Sequence, residues 1–108
     1  MPQLTFKSIP RQNVIDMSKA LVDELEVAIG CPREYFTLEH VDSVFIKDGS
    51  IAPDYPLVFV ALFDRGEEVQ DKVAQIITDH VQRAGYPNVD VIFTLLERSR
   101  YYENGVHF

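Results

Sequence analysis

Cysteine occurs once, as Cys31. No internal disulfide can form, and a reducing compartment is the expected setting. Basic side chains are also scarce: ten Lys and Arg stand against 17 Asp and Glu, a net charge of −7. Without a basic patch to meet phosphates, nucleic acid and anionic membrane surfaces are excluded as expected partners. No apolar run reaches bilayer-spanning length, and the N-terminus lacks the basic-then-apolar pattern of a secretion signal. The cytoplasm is the expected location. No second ligand stands at metal-binding spacing from His40, His80 or Cys31, so no metal site is predicted. Nor is there a phosphate-cradling glycine loop or a Ser/His/Asp pattern, and no cofactor is expected.

What remains is an ordinary globular composition, 46% hydrophobic and 25% charged, in 108 residues. That is one domain over 1–108, large enough for a core and small enough to be marginal alone. The chain opens Met1-Pro2-Gln3-Leu4-Thr5-Phe6. Proline after the initiator is small enough for methionine removal, which would leave a free secondary amine at the head of a strand. Leu4 and Phe6 alternate there with Gln3, Thr5 and Lys7. Ser8-Ile9-Pro10 ends this strand, and Val14, Met17, Leu21, Leu25 and Ala28 recur at helical spacing, with Ile15, Val22 and Ile29 widening the stripe. Gly30 and Pro32 stop the helix.

Residues Phe36 to Lys47 are strand-like, with a bend or a change of environment around His40 and Asp42. Asp48-Gly49-Ser50 reads as a turn, and a proline-containing connection runs from Ile51 to Pro56. Leu57 to Phe63 is apolar throughout, which predicts a strand covered on both faces. Asp64-Arg65-Gly66-Glu67 reads as a capping box. It opens a second helix with Val69, Val73, Ile76, Ile77, Val81 and Ala84 on one stripe, ended by Gly85 and Pro87. Val89 to Leu96 is another apolar strand. A polar and aromatic tail follows, with a hairpin turn at Asn104-Gly105.

The two halves repeat at an offset of about 55: Val14 falls on Val69, Leu21 on Ile76, Gly30 on Gly85 and Pro32 on Pro87. The chain therefore reads as two tandem β-α-β units, about 1–50 and 56–108. Right-handed crossovers make the strands of each unit parallel. The predicted fold is α+β, a four-stranded mixed sheet with two helices on one face. The apolar strands at 57–63 and 89–96 would leave the other face greasy, which predicts an oligomer.

In its Met-Pro start and its doubled strand–helix–Gly-x-Pro–strand order, the chain resembles the tautomerase superfamily of oxalocrotonate tautomerase and macrophage migration inhibitory factor. Ile9-Pro10-Arg11 and Gly30-Cys31-Pro32-Arg33-Glu34-Tyr35 look like the inhibitory-factor branch. The ending Tyr101-Tyr102-Glu103-Asn104-Gly105-Val106-His107-Phe108 is similar to an uncharacterised bacterial branch, a domain of unknown function. The resemblance implies a homotrimer whose three sheets form a barrel, with a site at each subunit boundary and the terminal proline at its floor. It makes Pro2 the base and sets Arg11 near the position of a substrate-binding arginine. The family's other substrate-binding arginine falls near Thr37 and is missing here, and the lysine that follows the glycine in the inhibitory factor is replaced by Cys31.

Read as residues, Arg11 and Arg65 fall at near-equivalent places at the two helix starts. A cation there opposes the helix dipole, which prefers acids. Such a placement suits a grip on a carboxylate, the alternative being a solvated arginine or an ion pair with Asp42, Glu67 or Glu68. The resemblance, in which the C-terminus closes a neighbouring pocket, implies that Tyr101 of the aromatic tail shapes the pocket, the alternative being a hairpin packed on a partner subunit. Cys31, His40 and His80 read as structural. The tandem repeat and the resemblance together imply cofactor-free proton transfer on a small carboxylate-bearing keto or enol compound. The alternative is a non-catalytic, ferredoxin-like regulatory module that binds a small molecule between subunits. It would show one antiparallel sheet instead of parallel pairs within each half.

Overall fold

The computed structural model describes residues 1–108. Strand β1 (Gln3–Lys7) is followed by helix α1 (Arg11–Ile29), a short 3₁₀ turn at Arg33–Tyr35 and strand β2 (Thr37–Val41). A small hairpin, β3 (Ile46–Lys47) and β4 (Ser50–Ile51), leads to β5 (Leu57–Phe63), helix α2 (Glu67–Arg83) and β6 (Asp90–Leu96). A 3₁₀ turn at Arg98–Arg100 and the hairpin β7 (Tyr102–Glu103) and β8 (Val106–His107) close the chain. No helix is long and apolar enough to cross a membrane.

The main sheet has the order β2-β1-β5-β6. Pairing is parallel within each half, β1 with β2 and β5 with β6, and antiparallel where the halves meet, between β1 and β5. The fold is α+β, two β-α-β units joined into one mixed sheet. A single antiparallel sheet, the arrangement of a ferredoxin-like module, is not what forms. Because β1 and β5 run in opposite directions, the halves are turned roughly half a revolution relative to each other. Equivalent loops therefore lie at opposite ends of the sheet.

Alternation decides the layers. Leu4 and Phe6 of β1, and Val58, Val60 and Leu62 of β5, point to the helices and are almost wholly buried. Val14, Met17, Leu21 and Leu25 of α1 and Val73, Ile77 and Val81 of α2 meet them in one core cluster. Helix α1 ends where Gly30 takes a left-handed φ of 76° and donates its N–H to the Glu26 carbonyl at 2.9 Å. Only glycine takes that conformation without a Cβ penalty. The two helices are also tied by the buried His80 ring, which bonds Glu24 of α1.

Several local expectations are corrected. Ile15 lies outside the core stripe of α1 and is 54% exposed. The capping box is not made: Gly66 precedes α2 with no side-chain cap, and the Asp64 carboxylate accepts from the Gly66 N–H at 2.8 Å instead. Arg65 thus sits in the turn before the helix. In keeping with the expected change of environment and turn, the segment after β2 leaves the sheet, and Asp48 and Gly49, at φ 49° and 81°, turn the β3–β4 hairpin. The open face of the sheet is mainly apolar in one half and mainly polar in the other. Leu57, Phe59 and Ala61 of β5 adjoin Ile92 and Leu96 of β6, interrupted by Asp90 and Thr94, while β1 and β2 present Gln3, Thr5, Lys7, Thr37 and Glu39 with Val41 at the end.

Candidate functional site

A hollow of about 390 Å³ lies at the head of β1, where the chain begins. Its walls come from both halves because antiparallel pairing of β1 with β5 sets Gln3 opposite Ala61. The start of β1 and the end of β5 therefore share one end of the sheet. The end of α1 contributes Gly30, Cys31 and Pro32; Tyr35 follows; the ends of β5 and β6 contribute Phe63, Arg65 and Arg98. Met1 occupies this hollow, and Glu103 and Phe108 of the tail complete the rim.

Pro2 lies directly behind Met1 and is less than 2% exposed. Proline suits this position, since a strand's first residue has no obligatory ladder N–H to give. Its carbonyl accepts the Thr37 N–H at 3.1 Å, which starts the β1–β2 ladder and fixes the Pro2–Gln3 peptide against the sheet. The α-amine on Met1 is held below its ordinary pKa, first by burial and then by the charges of Arg65 and Arg98; Cys31 acts in the opposite direction. The protonated amine is disfavoured by lost hydration and by nearby cations. The Cys31 thiol is raised, mainly by burial.

The structure brings Pro2 and Arg65 to one end of the sheet and leaves Arg11 at the other. Arg11 follows β1 at its far end, is largely exposed, and stands 4.0 Å from Asp42. The near two-fold relation of the halves explains this: two helix starts equivalent in sequence are opposite in space. Tyr101 stands behind the wall. Its ring packs on Phe63 at 5.5 Å and on Phe108 at 4.7 Å, and its hydroxyl accepts a hydrogen bond from Gln3 Nε2 at 3.3 Å. It holds in place two rings that line the hollow. Phe63 projects from the open face of the sheet, yet it is only 8% exposed beside this aromatic cluster.

Sequence reasoning passed over Arg98 and read Cys31 as mere filler. What places Arg98 is strand register, which the sequence does not display. Phe63 of β5 pairs in parallel register with Leu96 of β6. Arg65 and Arg98 each stand two residues beyond that pair, so in-register parallel strands deliver them to one place. Chemically, the arrangement joins an amine of lowered basicity, two guanidiniums and an aromatic wall, a combination that can accept a proton and hold an organic anion.

A family model described as "Domain of unknown function (DUF1904)" matches residues 1–107. No curated protein matches the chain. Among solved structures, it is similar to a domain of unknown function (DUF1904) from Sebaldella termitidis, at 33% identity and a TM-score of 0.92 over 100% of both chains. It is also similar to a protein of unknown function from Vibrio cholerae, at 31% identity and a TM-score of 0.88 over 99% of this chain and 87% of that one. A macrophage migration inhibitory factor-like protein from Entamoeba histolytica shares the fold, at 18% identity and a TM-score of 0.75 over 99% of this chain and 98% of that one.

Proposed function

We propose, from the premise that the chain belongs to the DUF1904 family and has the fold of the tautomerase and macrophage migration inhibitory factor superfamily, that it is a cofactor-free tautomerase. The observation that carries this reading is the position of the chain's own start. Met1 lines the hollow at the head of β1, and its amine, partly stripped of water and subject to the charges of two arginines, is easier to deprotonate than a free α-amine. While Met1 is attached, the proline nitrogen is an amide and has no basic lone pair. Once methionine is removed, Pro2 carries that lone pair immediately behind the present position of Met1.

The substrate is a small keto or enol compound bearing a carboxylate. Arg65 holds the carboxylate, and Phe63 and Phe108, backed by Tyr101, flank the carbon chain. Pro2 takes a proton from the carbon next to the carbonyl, the C–H electron pair moves toward the carbonyl oxygen, and the proton is returned to that oxygen. The reverse sequence ketonises an enol. Arg11 joins this carboxylate only if an adjoining subunit presents it, since its own chain holds it at the opposite end of the sheet. A homotrimer with sites at its subunit boundaries accounts for the half-apolar open face and for the exposed Ile46 and Ile51 of the β3–β4 arm. The single buried thiol suits a reducing, cytoplasmic setting.

Intact-mass measurement on protein purified from its native cells tests the first requirement. The expected mass is that of a chain beginning at Pro2. A chain that keeps Met1 throughout would end the mechanism and leave the fold untouched.

A further inference from the structure

The chain has six arginines. Four of them stand within ion-pair distance of a carboxylate: Arg11 with Asp42, Arg33 with Asp23 and Glu26, Arg83 with Glu24, and Arg100 with Glu97. The two that pair with no carboxylate are Arg65 and Arg98, and both line the hollow at the head of β1. In a protein with seven more acids than bases, unpaired guanidiniums are not a matter of short supply. They come together because β5 and β6 are parallel and in register, with one arginine two residues beyond each strand. Arg98 is also fixed in place, its guanidinium carbon 5.1 Å from the centre of the Phe63 ring. A cation over an aromatic face keeps the N–H groups at its edge available to a ligand. Glu103, the carboxylate on the rim, lies beyond ion-pair distance of both.

We propose that Arg98 is a specificity-determining residue that binds a second acidic group, so that the preferred ligand of this hollow is a dicarboxylate. Arg65 takes one carboxylate, and Arg98 takes the other across the face of Phe63. One carboxylate satisfies one guanidinium in the bidentate, charge-assisted geometry that makes such pairs strong. A monoacid would leave the second cation unanswered beside the first. The inference rests on the proposed use of Arg65 as a carboxylate holder. It adds the second charge and the residue that reads it.

Titration of the full-length protein with adipate and with hexanoate, followed by NMR or calorimetry, tests this directly. The two acids share a six-carbon flexible chain, so the comparison assumes no fixed spacing between the arginines. Adipate is expected to bind about tenfold tighter, the scale of one charge-assisted hydrogen bond. Arg98→Ala and Arg98→Gln should bring the two affinities together, and Arg98→Lys should keep part of the preference. Circular dichroism identifies any variant that fails to fold, and the wild-type comparison stands without the variants. Equal affinities in the wild type, no measurable binding of either acid, or a preference that survives both neutral substitutions would overturn the proposal. Lost preference with intact tautomerase turnover overturns this inference alone. Intact preference without turnover in methionine-free protein overturns the catalytic reading alone.

Discussion

A guanidinium beside an amine makes the protonated amine less favourable, and a wall that excludes water acts in the same direction. At the head of β1 both effects bear on the chain's first nitrogen, burial more strongly and Arg65 and Arg98 in support. With Pro2 as the first residue, the same surroundings should lower the pKa of its nitrogen as well. The acid limb of kcat/KM, which rises with pH as the free base forms, then lies below the range of an ordinary proline amine. Arg65→Ala removes one cause of the lowering. The amine's pKa rises, and the acid limb should move to higher pH as the substrate's carboxylate loses its partner. A pH–rate profile on the two proteins separates the electrostatic role from simple damage, because an acid limb that stays in place contradicts it. Arg65 was legible as a residue because in the sequence it reads as a cation at a helix start, although the structure sets it in the turn before α2, whose first turn is acidic. Its companion Arg98 was not, because the meeting of the two depends on the register of β5 against β6. Periodicity along a chain does not report pairing between strands.

Among the elements, the end of α1 matters most to the site, since it supplies Gly30, Cys31 and Pro32 to one wall. Gly30 holds a left-handed φ of 76° with open space around the position a Cβ would take. Substitution therefore costs backbone strain and causes no collision. Gly30→Ala is expected to lower stability by about 1 kcal/mol, read as a lower urea midpoint at unchanged slope. A shift above 3 kcal/mol, or none, would contradict this account of the cap. The helices, the four main strands and both hairpin turns were legible because each is a local affair: a stripe at helical spacing, an apolar run, a glycine or asparagine free to take positive φ. The start of α2 was misread for the opposite reason. Asp64 could bond several nearby N–H groups, and the Gly66 N–H won, so the expected capping box never formed. Arg11 shows the same limit at larger range. Its likeness to Arg65 is a repeat in sequence, and antiparallel packing of the two halves turns that likeness into separation.

At the scale of the whole molecule, an apolar half-face and a projecting hairpin remain without cover in a single chain. Leu57, Phe59, Ala61, Ile92 and Leu96 lie together on the side of the sheet away from the helices, and Ile92 is 42% exposed. Light scattering is expected to give three times the chain mass. Ile92→Asp, which sets a charge into that face, should shift the species to one chain while the far-ultraviolet dichroism stays unchanged. A wild type of one chain mass, or a variant that stays trimeric, would contradict the assignment of this face to subunit contacts. The polar β1–β2 half was legible in β1, where Gln3, Thr5 and Lys7 alternate with the core residues. The expectation of a uniformly greasy face came from reading β5 and β6 alone.

The central claim is that a proline nitrogen, freed of methionine and seated in a water-poor, cation-lined hollow, moves the proton. Its most direct test is kcat/KM for ketonisation of an aryl enolpyruvate by methionine-free wild type and by the same chain with Met1 retained, measured side by side. The account predicts a fall of at least about 10²-fold in the methionine-bearing form, the lower bound for loss of a positioned general base. Equal turnover by the two proteins would contradict it.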